Sequence, residues 1–219
     1  MGYAALNGDR VIRGSVAIPT FGPWHADLVL ADSAAIVTTP LGLSLTIGDL
    51  TLVGTLIRSG DYSGTRGVRM VGGAGGWRTT IPARQYQLSG GVSVSTILND
   101  AAIACGEKIV TQTDRTVPGY VREGAVAARV LNQLATPLWY VKPDGSTYYG
   151  SRDASAIASA FTVVLFSGRK GQVTIAADSL AQWQPGRTFS APTLSTTRTV
   201  STVEHTIDDG VVRTEVLVA

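Results

Sequence analysis

The 219-residue sequence predicts a β-rich α+β fold on three observations. Apolar residues alternate with polar ones through the first part, the period switches to helical near Ser93, and short alternating segments return after Pro137. In the first part Ile12, Val16 and Ile18 share one strand face, followed by Trp24, Ala26, Leu28 and Leu30, and by Leu41, Leu43, Leu45 and Ile47. Pro19, Gly22, Pro23, Pro40 and Gly48 punctuate them. Leu50 to Ile57 and Val68 to Val71 read as further strands, with Gly60 to Gly67 as the loop between. Short strands at this spacing point to a barrel or sandwich.

Val94, Ile97, Leu98, Ala101 and Cys105 then fall at helical spacing, with Ser93 as N-cap and Gly106 as stop. A second helix is expected from about Glu123 to Ala135, ended by Thr136-Pro137. Beyond it, Leu138–Val141 and Thr147–Tyr149 flank the turn Pro143-Asp144-Gly145, and Phe161–Phe166 and Val173–Ala177 flank Ser167–Gly171. The final segment is a hairpin turning at Asp209-Gly210, with Val203, His205 and Ile207 in phase on one arm. This divides the chain into strands (1–90), a helical part (91–136) and strands again (137–219), either one compact unit or two small barrels.

Composition narrows the function classes. A formal charge of +2 gives no case for nucleic-acid binding, which needs clustered cations. With 44% hydrophobic and only 16% charged residues, some apolar surface is expected to face other subunits. Nearly all basic residues are arginine, which suits planar hydrogen-bonded interfaces. The lone Cys105 forms no intrachain disulfide and is expected to pack as a small hydrophobe. The opening residues lack a secretory signal pattern. The uncharged run between Asp153 and Arg169 is too short to span a bilayer and reads as a buried strand with its lead-in.

Catalytic chemistry is hard to assemble. His25 and His205 are the only histidines; His25 sits two residues from Asp27 on one strand face, without a third partner for a metal or a triad, and reads as part of a surface or interface pair. The four glutamates, Glu107, Glu123, Glu204 and Glu215, fall at helix ends or outward strand positions. Gly72 to Trp77 offers a glycine loop to a phosphate, but its spacing fits neither a dinucleotide fingerprint nor a P-loop. No catalytic, cofactor-binding or metal residue is therefore assigned. The remaining candidates are contact residues: Arg58, Arg66, Arg69 and Arg78, part of a local arginine excess that oligomer symmetry would multiply, and Trp24 and Trp77, for which core packing competes.

Three stretches carry a resemblance: VIRGSVAIPTFGPWHADLVL, GVSVSTILNDAAIACGE, and an ending in which Gln184-Pro185-Gly186-Arg187 precedes VEHTIDDGVVRTEV. They resemble the phage baseplate hub family, trimeric proteins that cap a tail tube and carry the central spike. The resemblance implies two small β-barrels related to tail-tube subunits, with the two helices inserted between them. It also implies a homotrimer at the virion's tail tip, joining a sixfold tube to a threefold end and helping close the channel. The implied partners are the tail tube or distal tail protein, the tape-measure protein and a central spike, with DNA only in transit. A hexameric distal tail or tube-like protein, a tail-associated hydrolase and a carbohydrate-binding module are the alternatives.

Overall fold

A computed structural model describes residues 4–31, 42–194 and 196–219. Leu41 and Pro40 of the expected strand pattern lie outside the described residues. Six strands close a barrel: β1 (Ala4–Leu6), β2 (Asp9–Ile18), β3 (His25–Ala31), β4 (Leu43–Ile47), β5 (Leu50–Tyr62) and β6 (Thr65–Gly72), in the order β1-β4-β5-β6-β3-β2. The ring closes where Ala5 faces Arg10 and Leu6 faces Asp9 across β1 and β2. Alternation fills the interior, since successive side chains point to opposite faces: Ala26, Leu28 and Leu30 of β3 meet Leu43, Leu45, Leu52, Val68 and Met70. The β-rich fold with a closed barrel read from the sequence is the one observed.

Within the barrel two local expectations change. The buried residue at the start of β2 is Val11 rather than Ile12, because a bulge between Val11 and Arg13 shifts the phase of the strand. The expected loop Gly60 to Gly67 is instead the distal ladder of the β5–β6 hairpin, pairing Gly60 with Gly67 and Tyr62 with Thr65. Its turn is confined to Ser63 and Gly64, both at positive φ.

Trp24 shows why particular glycines are needed. Its indole lies flat on the backbone of neighbouring strands: a Cβ at Gly72 would stand 2.5 Å from Trp24 Nε1, and one at Gly54 2.7 Å from its Cη2. Only hydrogen fits there.

After β6 a 3₁₀ turn (Gly76–Arg78) leads to β7 (Thr80–Ile81), β8 (Arg84–Ser93) and helix α1 (Val94–Cys105). Ser93 caps α1 by accepting the Thr96 N–H, and Gly106 ends it in the left-handed region. β9 (Ile109–Thr111), β10 (Thr116–Arg122) and β11 (Ala125–Val126) follow; β10 pairs with β8 as a two-stranded ribbon and β11 with β7. Helix α2 covers only Ala128–Leu134, shorter than expected, because Glu123 to Val126 are taken into the turn and strand that pair with β7. β12 (Trp139–Val141) and β13 (Thr147–Tyr149) form the expected hairpin, and β9 joins β13 in parallel.

The last strands are β14 (Phe161–Ser167), β15 (Gln172–Ala177), β16 (Thr188–Phe189), β17 (Arg198–Asp208) and β18 (Val211–Val218). β17 pairs with the second half of β2, placing His205 opposite Val16, so one sheet runs from the barrel through β2-β17-β18-β15-β14. Asp209 and Gly210, both at positive φ, make the predicted turn. β14 is not the buried strand expected from its composition: it ends the sheet, with one edge unpaired among the described residues and most of its side chains at least partly in solvent. Among the described residues no helix is long and apolar enough to cross a membrane.

Candidate contact surfaces

The local arginine excess divides in space. Arg58, Arg66 and Arg69 stand on the β5–β6 hairpin, and Arg58 lies directly opposite Arg69 in its ladder. Two like charges in that position repel unless each finds a counter-charge. Arg69 has one, a bidentate contact with Asp27 at 2.8 and 2.9 Å, and Arg66 bonds Asp61 at 2.6 Å. Among the described residues Arg58 is exposed with no ion pair. It borders a cleft of about 550 Å³ on the outer barrel face, walled by Arg13, Asp27, Val29 and Arg69 over Gly60 and Gly67. Because Asp27 is engaged by Arg69, the pair it forms is with arginine, not with the exposed His25 beside it.

Arg78 belongs to a different surface. It is exposed on the 3₁₀ turn, at an apolar cleft of about 400 Å³ lined by Phe21, Pro23, Val71, Trp77 and Trp139. Arg84 is bound to Asp100 of α1. The sequence cluster is thus three separate sites.

Trp24 and Trp77 are core residues, 1% and 6% exposed, and Trp77 donates its indole N–H to Thr147 Oγ1 at 2.8 Å. In this conformation their burial takes them out of the candidate contact set; Trp139 and Trp183 are buried as well. The exposed apolar area lies elsewhere, on Phe21, Leu88, Ile103, Val121, Val164, Leu165 and Val211.

Glu107 departs most from expectation. It is buried, and its carboxylate accepts the Gly76 N–H at 2.7 Å and the Ala74 N–H at 3.3 Å. The glycine loop does present N–H groups to an anion, and that anion is a side chain of the same molecule. Burial pushes the Glu107 pKa up, opposed by the backbone hydrogen bonds. Its place just after the Gly106 helix stop was the only sequence signal.

A second buried cluster ties α1 to the β8–β10 ribbon. Asp100 takes hydrogen bonds from Arg84, Tyr86 and Arg122, and the almost fully buried Arg122 also donates to the Pro82 carbonyl at 3.1 Å. Burial and the Asp100 contact push the Tyr86 phenol up to about 12. Arg152 lies over the Tyr140 ring at 3.9 Å and donates to the carbonyls of Pro19 and Thr20, fastening the β12–β13 region to the barrel. His205 is buried beside Thr214 Oγ1 at 2.9 Å, and burial lowers its pKa to about 4. Half-buried Cys105 packs against the core, with its thiol pushed up to about 11 by burial. Among the described residues no three His, Cys, Asp or Glu side chains converge on a metal position.

No family model and no curated protein sequence matches the chain. Solved structures do. The 43 kDa tail protein of prophage MuSo2 from Shewanella oneidensis superposes with a TM-score of 0.68 at 11% identity, covering 100% of this chain and 97% of that one. The tail protein from Neisseria meningitidis MC58 gives 0.66 at 11% identity, with 99% and 95% covered. The E. coli c3393 protein, a type VI secretion component described as structurally similar to the T4 tail proteins gp27 and gp5, gives 0.69 at 11%, with 98% and 76% covered. Across its whole length, then, this chain has the fold of phage tail proteins and their type VI secretion counterpart.

Proposed function

We propose that the chain is a structural tail component, acting as the baseplate hub at the distal end of a phage tail. The observation that carries this reading is coverage: the tail-protein fold accounts for the entire chain, from the barrel to the terminal hairpin. In this role three copies form a ring that meets the sixfold tube on one side and a threefold tip on the other, and helps close the channel. Tube or distal tail protein, tape-measure protein and spike are its neighbours, and DNA passes through without being read.

The hub works by burying surface, not by chemistry. A specific interface of standard size covers about 1,600 Å² in total. Exposed Phe21, Leu88 and Val121 supply apolar area, and Arg58 and Arg78 supply forks for a neighbour's carboxylates. The test is a reconstruction of the tail with this chain located in it. Three copies at the tip support the hub; six copies along or below the tube favour the hexameric distal tail reading.

A further inference from the structure

The long sheet closes on itself at one end, through β1 and β2, and stays open at the other, along β14. An open edge offers unpaired N–H and C=O groups to any extended chain, and folded proteins guard such edges with charge, proline or a covering element. β14 has no charge and no proline in its sequence, Phe-Thr-Val-Val-Leu-Phe-Ser, and no strand pairs its outer edge among the described residues, so a single bulge is the guard it keeps. Its bulge between Val163 and Leu165 breaks the alternation and turns two consecutive apolar side chains outward, Val164 at 64% and Leu165 at 61% exposure. Left bare, a segment of this composition is an aggregation hazard.

Charge at the two ends of the hairpin indicates what covers it. Arg169 and Lys170 at the β14–β15 tip are exposed, with no ion pair among the described residues. At the other end Asp178 is exposed and likewise unpaired, its N–H donating to the Ala160 carbonyl at 3.1 Å, just before β14 begins. The hairpin is basic at its tip, acidic at its base and neutral between.

We propose that this edge pairs with β14 of a second copy, antiparallel, about a two-fold axis near Val164. Phe161 of one copy then faces Ser167 of the other, and each basic tip lies beside the other copy's Asp178, one strand spacing of about 4.8 Å further in. The uncharged middles meet, and both charged ends are satisfied by the same symmetry. A two-fold contact is self-complementary and adds to the threefold ring of the hub reading without replacing it, joining two rings back to back where both contacts form.

Native mass spectrometry or sedimentation of the full chain tests this. The wild type is expected to hold an even number of copies, two, or six where the ring also closes, and Leu165→Lys is expected to halve that number. Asp178→Lys alone weakens the pairing by about tenfold in dissociation constant, about 1.4 kcal/mol, and combining it with Arg169→Glu and Lys170→Glu restores it. A wild type with one or three copies overturns the pairing, as does a Leu165→Lys variant of unchanged mass or a charge exchange without rescue. A factor of three in the mass bears on the hub reading and halving bears on the edge, so the two fail separately.

Discussion

Arg122 Nη1 stands 2.9 Å from Asp100 Oδ2, joining the β8–β10 ribbon to helix α1 through a guanidinium that is almost wholly out of solvent. A two-stranded ribbon is marginal by itself. The bonds that Arg84, Tyr86 and Arg122 all give to Asp100 attach this one to α1. Arg122→Met removes the buried half of the Arg122–Asp100 pair and the bond to the Pro82 carbonyl, while Arg84 and Tyr86 still donate to Asp100, so it is expected to lower unfolding free energy by about 1.5–3 kcal/mol, the worth of a hydrogen bond to a charged group. Urea unfolding at neutral pH checks it, and a loss under half a kilocalorie would show the ribbon is held by packing alone.

His205 gives a pH dependence with a definite sign. Its folded pKa, about 4, lies below the ordinary value of 6.5, so the unfolded chain binds the extra proton first. Stability from this group is complete above pH 6.5, declines as pH falls towards 4, and levels off below. The loss amounts to about 3 kcal/mol. Comparing wild type with His205→Leu at pH 7.5 and 4.5 isolates it from the carboxylates: the variant is expected to lose less stability between the two pH values.

Glu107 is predicted to be structural. Glu107→Ala leaves the buried Gly76 N–H without its acceptor and is expected to cost about 2 kcal/mol, whereas Glu107→Gln keeps a carbonyl there and costs less. Hydrogen exchange of the Gly76 and Ala74 amides reads this directly. Faster exchange is expected in the alanine variant, and near-wild-type exchange in the glutamine one.

Gly72→Ala tests the seat of Trp24. The added methyl meets the indole well inside contact distance, and overpacking of this kind costs about 1–3 kcal/mol. Trp24→Phe in the same background is expected to recover part of the loss, since the smaller ring can yield. Thermal unfolding of the single and double variants decides it.

What could be read from the sequence follows from which interactions leave a periodic trace. β3 was legible because Trp24, Ala26, Leu28 and Leu30 face one barrel interior, and α1 because both its caps use residues chosen for the role. β8 left no such trace: its run through Leu88, Ser89, Gly90 and Gly91 faces mostly solvent, so no burial pattern was selected. The arginines misled by adjacency. Arg58 and Arg69 are brought together by the hairpin, while Arg78, nine positions after Arg69, is carried to another cleft by the turn at Gly73 to Gly76. Glu107 reads as a solvated charge in the sequence because its partner, the Gly76 N–H, is far away along the chain.

The pairing of β2 with β17 has a consequence for synthesis. On the edge away from β3, Arg13 to Ile18 pair with residues 203–208, and the Thr20 hydroxyl bonds the Ser201 carbonyl 181 positions on. While the chain is still being translated, half of one side of β2 waits without a neighbour until residues 203–208 are made. Contacts of such long range slow folding, because the loop must close before they contribute. The outer edge of Arg13 to Ile18 therefore stays unpaired in the nascent chain until residues 203–208 have been made.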